Sequence, residues 1–208
     1  THREPPAAML VANRNETEIA KLVWPAPVEQ ITPAMALRHG MHHITAISSN
    51  IQRTHDYFGG LLGMRLVKQT SNFDDPTSKH WDWGVGEGRP GTLITYFARD
   101  PKSEPAARMG AGQTHHFALS VPDEESQLLW REKLLRAGYR VSPVMARFYF
   151  RSSHPTDPDG AFVELATAGP GFALDEAVSQ LGANLMLPPW LEAQRPQIEA
   201  RLRPITSG

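Results

Sequence analysis

The sequence predicts an α+β protein in which two β-α-β-β-β modules combine into one half-barrel domain, flanked by N- and C-terminal arms. Three observations carry this reading. Two segments open on paired histidines and then alternate in strand fashion, MHHITAIS at 41–48 and QTHHFALSV at 113–121. Each leads into an amphipathic stretch that ends on a glycine, Gly63 and Gly138, and then into three short alternating runs. One order repeated over roughly 70 residues is a duplication, and two such copies can close a single core between them.

Composition narrows the function classes. The 208 residues are 40% hydrophobic with a formal net charge of -1, which suits compact domains with an ordinary core. Near-neutrality without an aromatic-interleaved basic stripe argues against nucleic acid as a partner. No apolar run approaches the roughly 18 to 20 residues of a membrane span, and no charged-then-apolar leader is present. The expectation is a soluble, cytoplasmic protein. Because the count of cysteines is 0, a metal must be held by His, Asp, Glu or backbone oxygen, and the 9 histidines become the main chemical resource.

The elements follow in order. Residues 1–39 hold Pro5, Pro6, Pro25, Pro27 and Pro33, with room for one short helix around 16–23, and read as an arm packing on the domain or on a neighbouring subunit. The first module, 40–98, has a strand at 41–48, a helix cap at Asn50, and a helix toward Leu62 whose Tyr57, Leu61 and Leu62 have helical spacing. Strands at 65–70, 80–85 and 92–97 follow, separated by FDDPTSK and GEGRPG. A linker rich in Pro, Ala and Gly spans 99–112. The second module, 113–168, has a strand at 113–121, a helix at 123–137 carrying Leu128, Trp130, Leu134 and Leu135, and strands at 140–144, 148–152 and 161–166. Residues 169–208 form a C-terminal arm. It has a short helix near 175–181, a break at Pro188 and Pro189, and a last helix from Trp190 with Pro196 in an early turn, covering a sheet face or an interface.

Strand parity then selects the chemistry. Successive strand residues face opposite sides, so Phe117, Leu119 and Val121 form a core face while His116, Ala118 and Ser120 share the other. In the first module His43 and Thr45 share a face. At 161–166, Ala161, Val163 and Leu165 separate from Phe162, Glu164 and Ala166, and a carboxylate flanked by core-directed residues must be paired or carry a large desolvation cost, so Glu164 wants a cation. If the modules face each other about a pseudo-two-fold axis, His43, His116 and Glu164 converge as two imidazoles and one carboxylate with open positions beside them. That is the facial set of non-haem Fe(II) oxygen chemistry. His55 reads as a solvated helix residue, His80 as an ordinary strand or turn residue, Trp81 and Trp83 as core or substrate wall, and Asp74 and Asp75 as turn formers.

At these residues the chain resembles a known group. MHHITAI, HDYFGGLLGMRLVKQTSNFDDPTSKHWDWG and GTLITYF are similar to the first part of ring-cleaving dioxygenases of the vicinal oxygen chelate (glyoxalase/bleomycin resistance/extradiol dioxygenase) superfamily that open hydroquinones and chlorinated hydroquinones. GQTHHFALSV, WREKL, VSPVMARFYFRSSHPTDPDGAFVELATAGPGF and LPPWLEAQRPQIEARL resemble the last part. FYFRS-x6-DGxxxE with the LPPWLE tail is more specific than the superfamily-level DPDG-x3-E.

The resemblance implies Fe(II), with Mn(II) as the alternative ion, on His43, His116 and Glu164, surrounded by His42, Thr45, His115 and Arg147. His154 stands where family members carry a tyrosine. Further implied is an extradiol-type dioxygenase that takes O2 and a hydroquinone-type or related dihydroxylated aromatic. In it Arg147 stabilises oxyanion charge, and His154, with His42 or His115 as alternatives, moves protons. Family members usually carry twice as many modules, so a homodimer or higher homo-oligomer is expected to supply missing surface. Two other readings use the same fold. A glyoxalase-type isomerase or lyase would want a second carboxylate, which 92–97 does not offer, and the other is a metal-free small-molecule binding module, which this fold also hosts.

Overall fold

The computed structural model describes residues 40–100, 102 and 110–202. The arm expected over 1–39, with its helix, and most of the 99–112 linker lie outside the described residues.

In the first module β1 (His43–Ser48) is followed by Asn50, whose side-chain oxygen accepts the N–H groups of Gln52 at 3.1 Å and Arg53 at 3.2 Å and so starts helix α1 (Ile51–His55). The helix then widens into a π-helical turn, Asp56–Leu61. Gly59 sits there against the His55 ring, where an added Cβ would come within 2.9 Å of Cε1. Gly63, at φ 72°, ends the element as expected. Strands β2 (Arg65–Ser71), β3 (Lys79–Gly84) and β4 (Leu93–Ala98) complete a sheet ordered β1-β4-β3-β2, with β4 parallel to β1 and antiparallel to β3.

The second module repeats this plan. β5 (His116–Val121) leads to α2 (Glu124–Arg136), capped by Asp123 on Ser126 N at 2.8 Å and closed by Gly138 at φ 86°. β6 (Met145–Ala146), β7 (Arg151–Ser153) and β8 (Phe162–Thr167) complete the order β5-β8-β7-β6, with β8 parallel to β5. Two strands differ from expectation. In the expected 140–144 run, Val141 makes only an isolated bridge to Pro155, and the β6 ladder begins at Met145, past Pro143, which has no N–H to donate. The expected 148–152 strand starts at Arg151, because Arg147 N donates to Phe150 O at 2.8 Å and Phe148 takes φ 67°, a tight turn in place of extended chain.

Of the described residues, those up to 169 form one compact unit, and those from 170 belong to another. In the latter the helix expected at 175–181 is a 3-10 turn, Val178–Gln180, preceded by another at Phe172–Leu174, and the helix expected from Trp190 opens as the 3-10 segment Pro189–Gln194. Helix α3 (Arg195–Glu199) follows, with Pro196 in its first turn. Arg195 bridges Glu192 at 2.7 Å and Glu199 at 3.1 Å.

Both modules contribute to one core. Phe58, Trp83, Ile94 and Tyr96 of the first cluster with Phe117, Val121, Leu134, Val163 and Leu165 of the second. The turn before β8 bolts the modules together. Tyr96, fully buried on β4, donates its hydroxyl to Asp157 Oδ2 at 2.7 Å, while Asp157 Oδ1 accepts Asp159 N at 3.0 Å and Ala161 N at 2.7 Å. Asp159 in turn accepts from Ser49 through both its N–H and its hydroxyl, and pairs with Arg53 at 3.1 Å. Burial pushes the Asp157 carboxyl above its ordinary value of 3.8, against the pull of its three donors.

Removing the carboxylate strands the Tyr96 hydroxyl and two turn N–H groups, so Asp157→Ala is expected to cost about 3 kcal/mol in urea denaturation, and Tyr96→Phe about 1 to 2 kcal/mol. A raised native pKa means the folded state holds the Asp157 proton more tightly. The wild type therefore loses stability relative to Asp157→Asn as pH rises from 3.8 through the native value, and the difference levels off above it.

Candidate functional site

Each sheet buries one face and opens the other, and the predicted residues sort by the same parity. On the first sheet the register Thr45↔Thr95 and Asp82↔Thr95 puts His43, Thr45, Thr95, His80 and Asp82 on one face, opposite the buried Ile94, Tyr96 and Trp83. On the second, Ala118↔Glu164 and Ser152↔Ala166 align His116, Glu164 and Ser152 opposite Phe117, Val163 and Leu165.

His116 and Glu164 are brought together. Glu164 is 4% exposed, and its Oε2 lies 2.8 Å from His116 Nε2 and 3.8 Å from His154 Nε2. The His116 and His154 rings stand edge to face, 5.7 Å apart. Arg147 hydrogen-bonds Ser152 Oγ through Nε at 3.0 Å, and its charge bears on His154. Burial holds the His154 pKa below the ordinary histidine value. Glu164 works against that, while Arg147, His116 and His115 add to it. A neutral imidazole beside a carboxylate can accept a proton.

The histidine pairs repeat to fine detail. His42 Nδ1 lies 2.9 Å from His43 Nδ1, and His115 Nδ1 lies 2.8 Å from His116 Nδ1, with ring centroids 5.1 Å apart in both pairs. In each pair the preceding imidazole occupies Nδ1 of the next and leaves its Nε2 directed elsewhere, as for a metal ligand whose other nitrogen is oriented by a neighbour. His115 also stacks on Phe162 at 5.5 Å. The donor set fits a metal in kind, and His116 with Glu164 forms one edge of it. The expected convergence of all three ligands is not found: His43 stays on the first module. Among the described residues no group of three or more His, Cys, Asp or Glu side chains is spaced to hold an ion. β5 and β8 are hydrogen-bonded neighbours, whereas β1 and β5 each end a separate sheet. A cavity of about 460 Å³ lies between the modules, with His43, Met41 and Leu93 on one side and Phe117, Ala118 and Ser120 on the other.

Two histidines have structural roles that sequence reasoning missed. His55, expected in solvent, accepts Trp83 Nε1–H at 3.2 Å and stacks edge-on to Trp81. His80 reaches Thr95 Oγ1 at 3.1 Å, and Thr95 donates to Thr45 Oγ1 at 2.9 Å. Alternation along KHWDWG, with Trp81 and Trp83 set inward, was the available signal that His80 shares the His43 face.

Fold and site together define a paired-module α+β protein with an imidazole–carboxylate centre on its open sheet face. The family model described as Glyoxalase/Bleomycin resistance protein/Dioxygenase superfamily matches residues 40–165, and the chain belongs to that family. It is 41% identical over 120 residues to the protein of Bacillus subtilis (strain 168) named "Putative ring-cleaving dioxygenase MhqA", covering 58% of this chain and 37% of the relative. It is 34% identical over 120 residues to the Chlorohydroquinone/hydroquinone 1,2-dioxygenase of Sphingobium indicum (strain DSM 16413 / CCM 7287 / MTCC 6362 / UT26 / NBRC 101211 / UT26S), covering 56% of this chain and 37% of that one. The chain thus spans little more than a third of either relative. A glyoxylase/bleomycin resistance protein/dioxygenase domain from Frankia sp. EAN1pec shares the fold, with TM-score 0.54 and 16% identity over 64% of this chain and 93% of that one. Among the described residues no helix is long and apolar enough to cross a membrane.

Because the Glu164 charge raises the His154 pKa, neutralising it lowers that pKa further. In Glu164→Gln, measured by NMR titration of the metal-free protein, His154 should titrate at lower pH than in the wild type; an unchanged or higher value would contradict the placement of the two groups.

Proposed function

We propose that the chain is a ring-cleaving dioxygenase of hydroquinone-type or related dihydroxylated aromatics, dependent on a non-haem iron. The observation that carries this is the His116–Glu164 pair at 2.8 Å on an open sheet face, with His115 behind His116. The ring-cleaving and hydroquinone dioxygenase names of the relatives support the substrate class.

His116 and Glu164 would hold the iron, with His43 as the third donor. The bound metal would supply Lewis acidity and the means to use O2. The chain's own residues do the rest. His154, kept neutral by burial, takes the proton of a substrate hydroxyl at Nε2, and Glu164 nearby stabilises the imidazolium that results. Arg147, anchored on Ser152, places a fixed positive charge where oxyanion character develops. A glyoxalase-type isomerase is disfavoured because β4, Leu93–Ala98, offers no carboxylate to match Glu164.

After anaerobic loading with Fe(II), the protein is expected to consume O2 with hydroquinone and to yield a product without the aromatic absorbance. His116→Ala and Glu164→Ala should each lose bound iron by elemental analysis and fall to background uptake. Full iron occupancy in either variant would remove that residue from the metal's ligands.

A further inference from the structure

Resting on that reading, we propose that His80, acting through Thr95, is a positioning residue that fixes the Thr45 hydroxyl as a hydrogen-bond donor toward the phenolate oxygen of a bound aromatic. The three side chains form a file across β3, β4 and β1, with His80 Nε2 to Thr95 Oγ1 at 3.1 Å and Thr95 Oγ1 to Thr45 Oγ1 at 2.9 Å. The central hydroxyl is 2% exposed, so water cannot substitute for either partner.

A hydroxyl has one proton to give. Thr95 spends its proton on Thr45, so what it receives from His80 must be the Nε2–H. That sets the polarity of the whole file. Thr45 accepts from behind and keeps its own proton for a ligand on the exposed face, two residues along the strand from His43. Its neighbours hold His80 in place: the ring lies on Phe97 with centroids 4.3 Å apart, and the His80 carbonyl accepts the Thr70 hydroxyl at 3.1 Å. An apolar side chain at 80 would free Thr95 to turn, and Thr45 could then aim its proton inward. The file thus favours a ligand that presents an anionic oxygen over one of the same shape without it.

Two probes and three variants test this by isothermal calorimetry on the full chain. The probes are 4-nitrophenolate and nitrobenzene; the variants are Thr95→Val, His80→Phe and His80→Gln. Expected is about tenfold weaker binding of 4-nitrophenolate by Thr95→Val and His80→Phe, recovery to within about twofold in His80→Gln, which can still donate, and no change for nitrobenzene. Equal 4-nitrophenolate affinity in all four proteins overturns the inference and leaves the proposed function standing. Equal weakening of both probes also overturns it, since the file would then serve only packing. Failure of the unaltered chain to bind 4-nitrophenolate overturns the inference together with the aromatic-substrate reading.

Discussion

Burial of one face of each sheet in a common apolar core is the constraint on which the candidate site depends. Phe117, Val121, Val163 and Leu165 are at most 7% exposed, and side chains of this kind each contribute about 1.5 to 3 kcal/mol when fully buried. The side-chain period of a strand is two, so once these four point inward, His116 and Glu164 point the other way. A one-residue slip of β5 or β8 would drive an imidazole or a carboxylate into hydrocarbon and bring apolar groups out. The chemistry of the open face is therefore specified by residues that never touch it.

Glu164 lies on that open face yet is nearly inaccessible, and its surroundings explain how a carboxylate is kept there. His116 supplies a nitrogen at 2.8 Å and His154 another at 3.8 Å. From the core side, the fully buried Gln127 on α2 donates its amide to Leu165 O at 2.7 Å and to Arg151 O at 3.0 Å, tying β8 to β7 next to the carboxylate. At the start of β8, Asp157 and Asp159 hold the incoming turn on β4 and the N-terminus of α1. The acid is presented by a strand restrained at both ends and from behind, so little of its orientation is left to loops.

Much of this was legible in the sequence, and what was not has physical causes. The alternation of HFALSV and FVELAT gave the two faces, Asn50 gave the first helix start, and Gly63 and Gly138 gave the stops, because each of these is a local rule of backbone geometry. The short β6 and β7 were not legible, since VSPVMARFYF alternates well enough while Pro143 and the left-handed Phe148 interrupt its ladder. The π turn was missed for a related reason: Gly59 permits it, but the His55 ring that fills it comes from tertiary packing against Trp83. His80 was passed over because its partner Thr95 lies on the neighbouring strand, distant in sequence, and the alternation of KHWDWG shows only which face His80 takes.

The same distinction separates the half of the centre that forms from the half that does not. His116 and Glu164 meet because β5 and β8 are neighbours in one ladder, and register alone fixes their approach. His43 belongs to β1, the edge of the other sheet, and its distance from them depends on how the modules dock. Docking is governed by the shared core, to which β5 contributes Phe117 and Val121 and β1 the partly buried Ile44 and Ala46, and by the Asp157 and Asp159 contacts at the turn before β8. Between His43 and the second module lies the cavity of about 460 Å³. Its lining of His43, Leu93, Phe117 and Ser120 is largely apolar, with polar groups at few points, which is the usual chemistry of a small-molecule pocket. The His116–Glu164 pair is thus a property of the second module, whereas the approach of His43 to it is a property of both modules together.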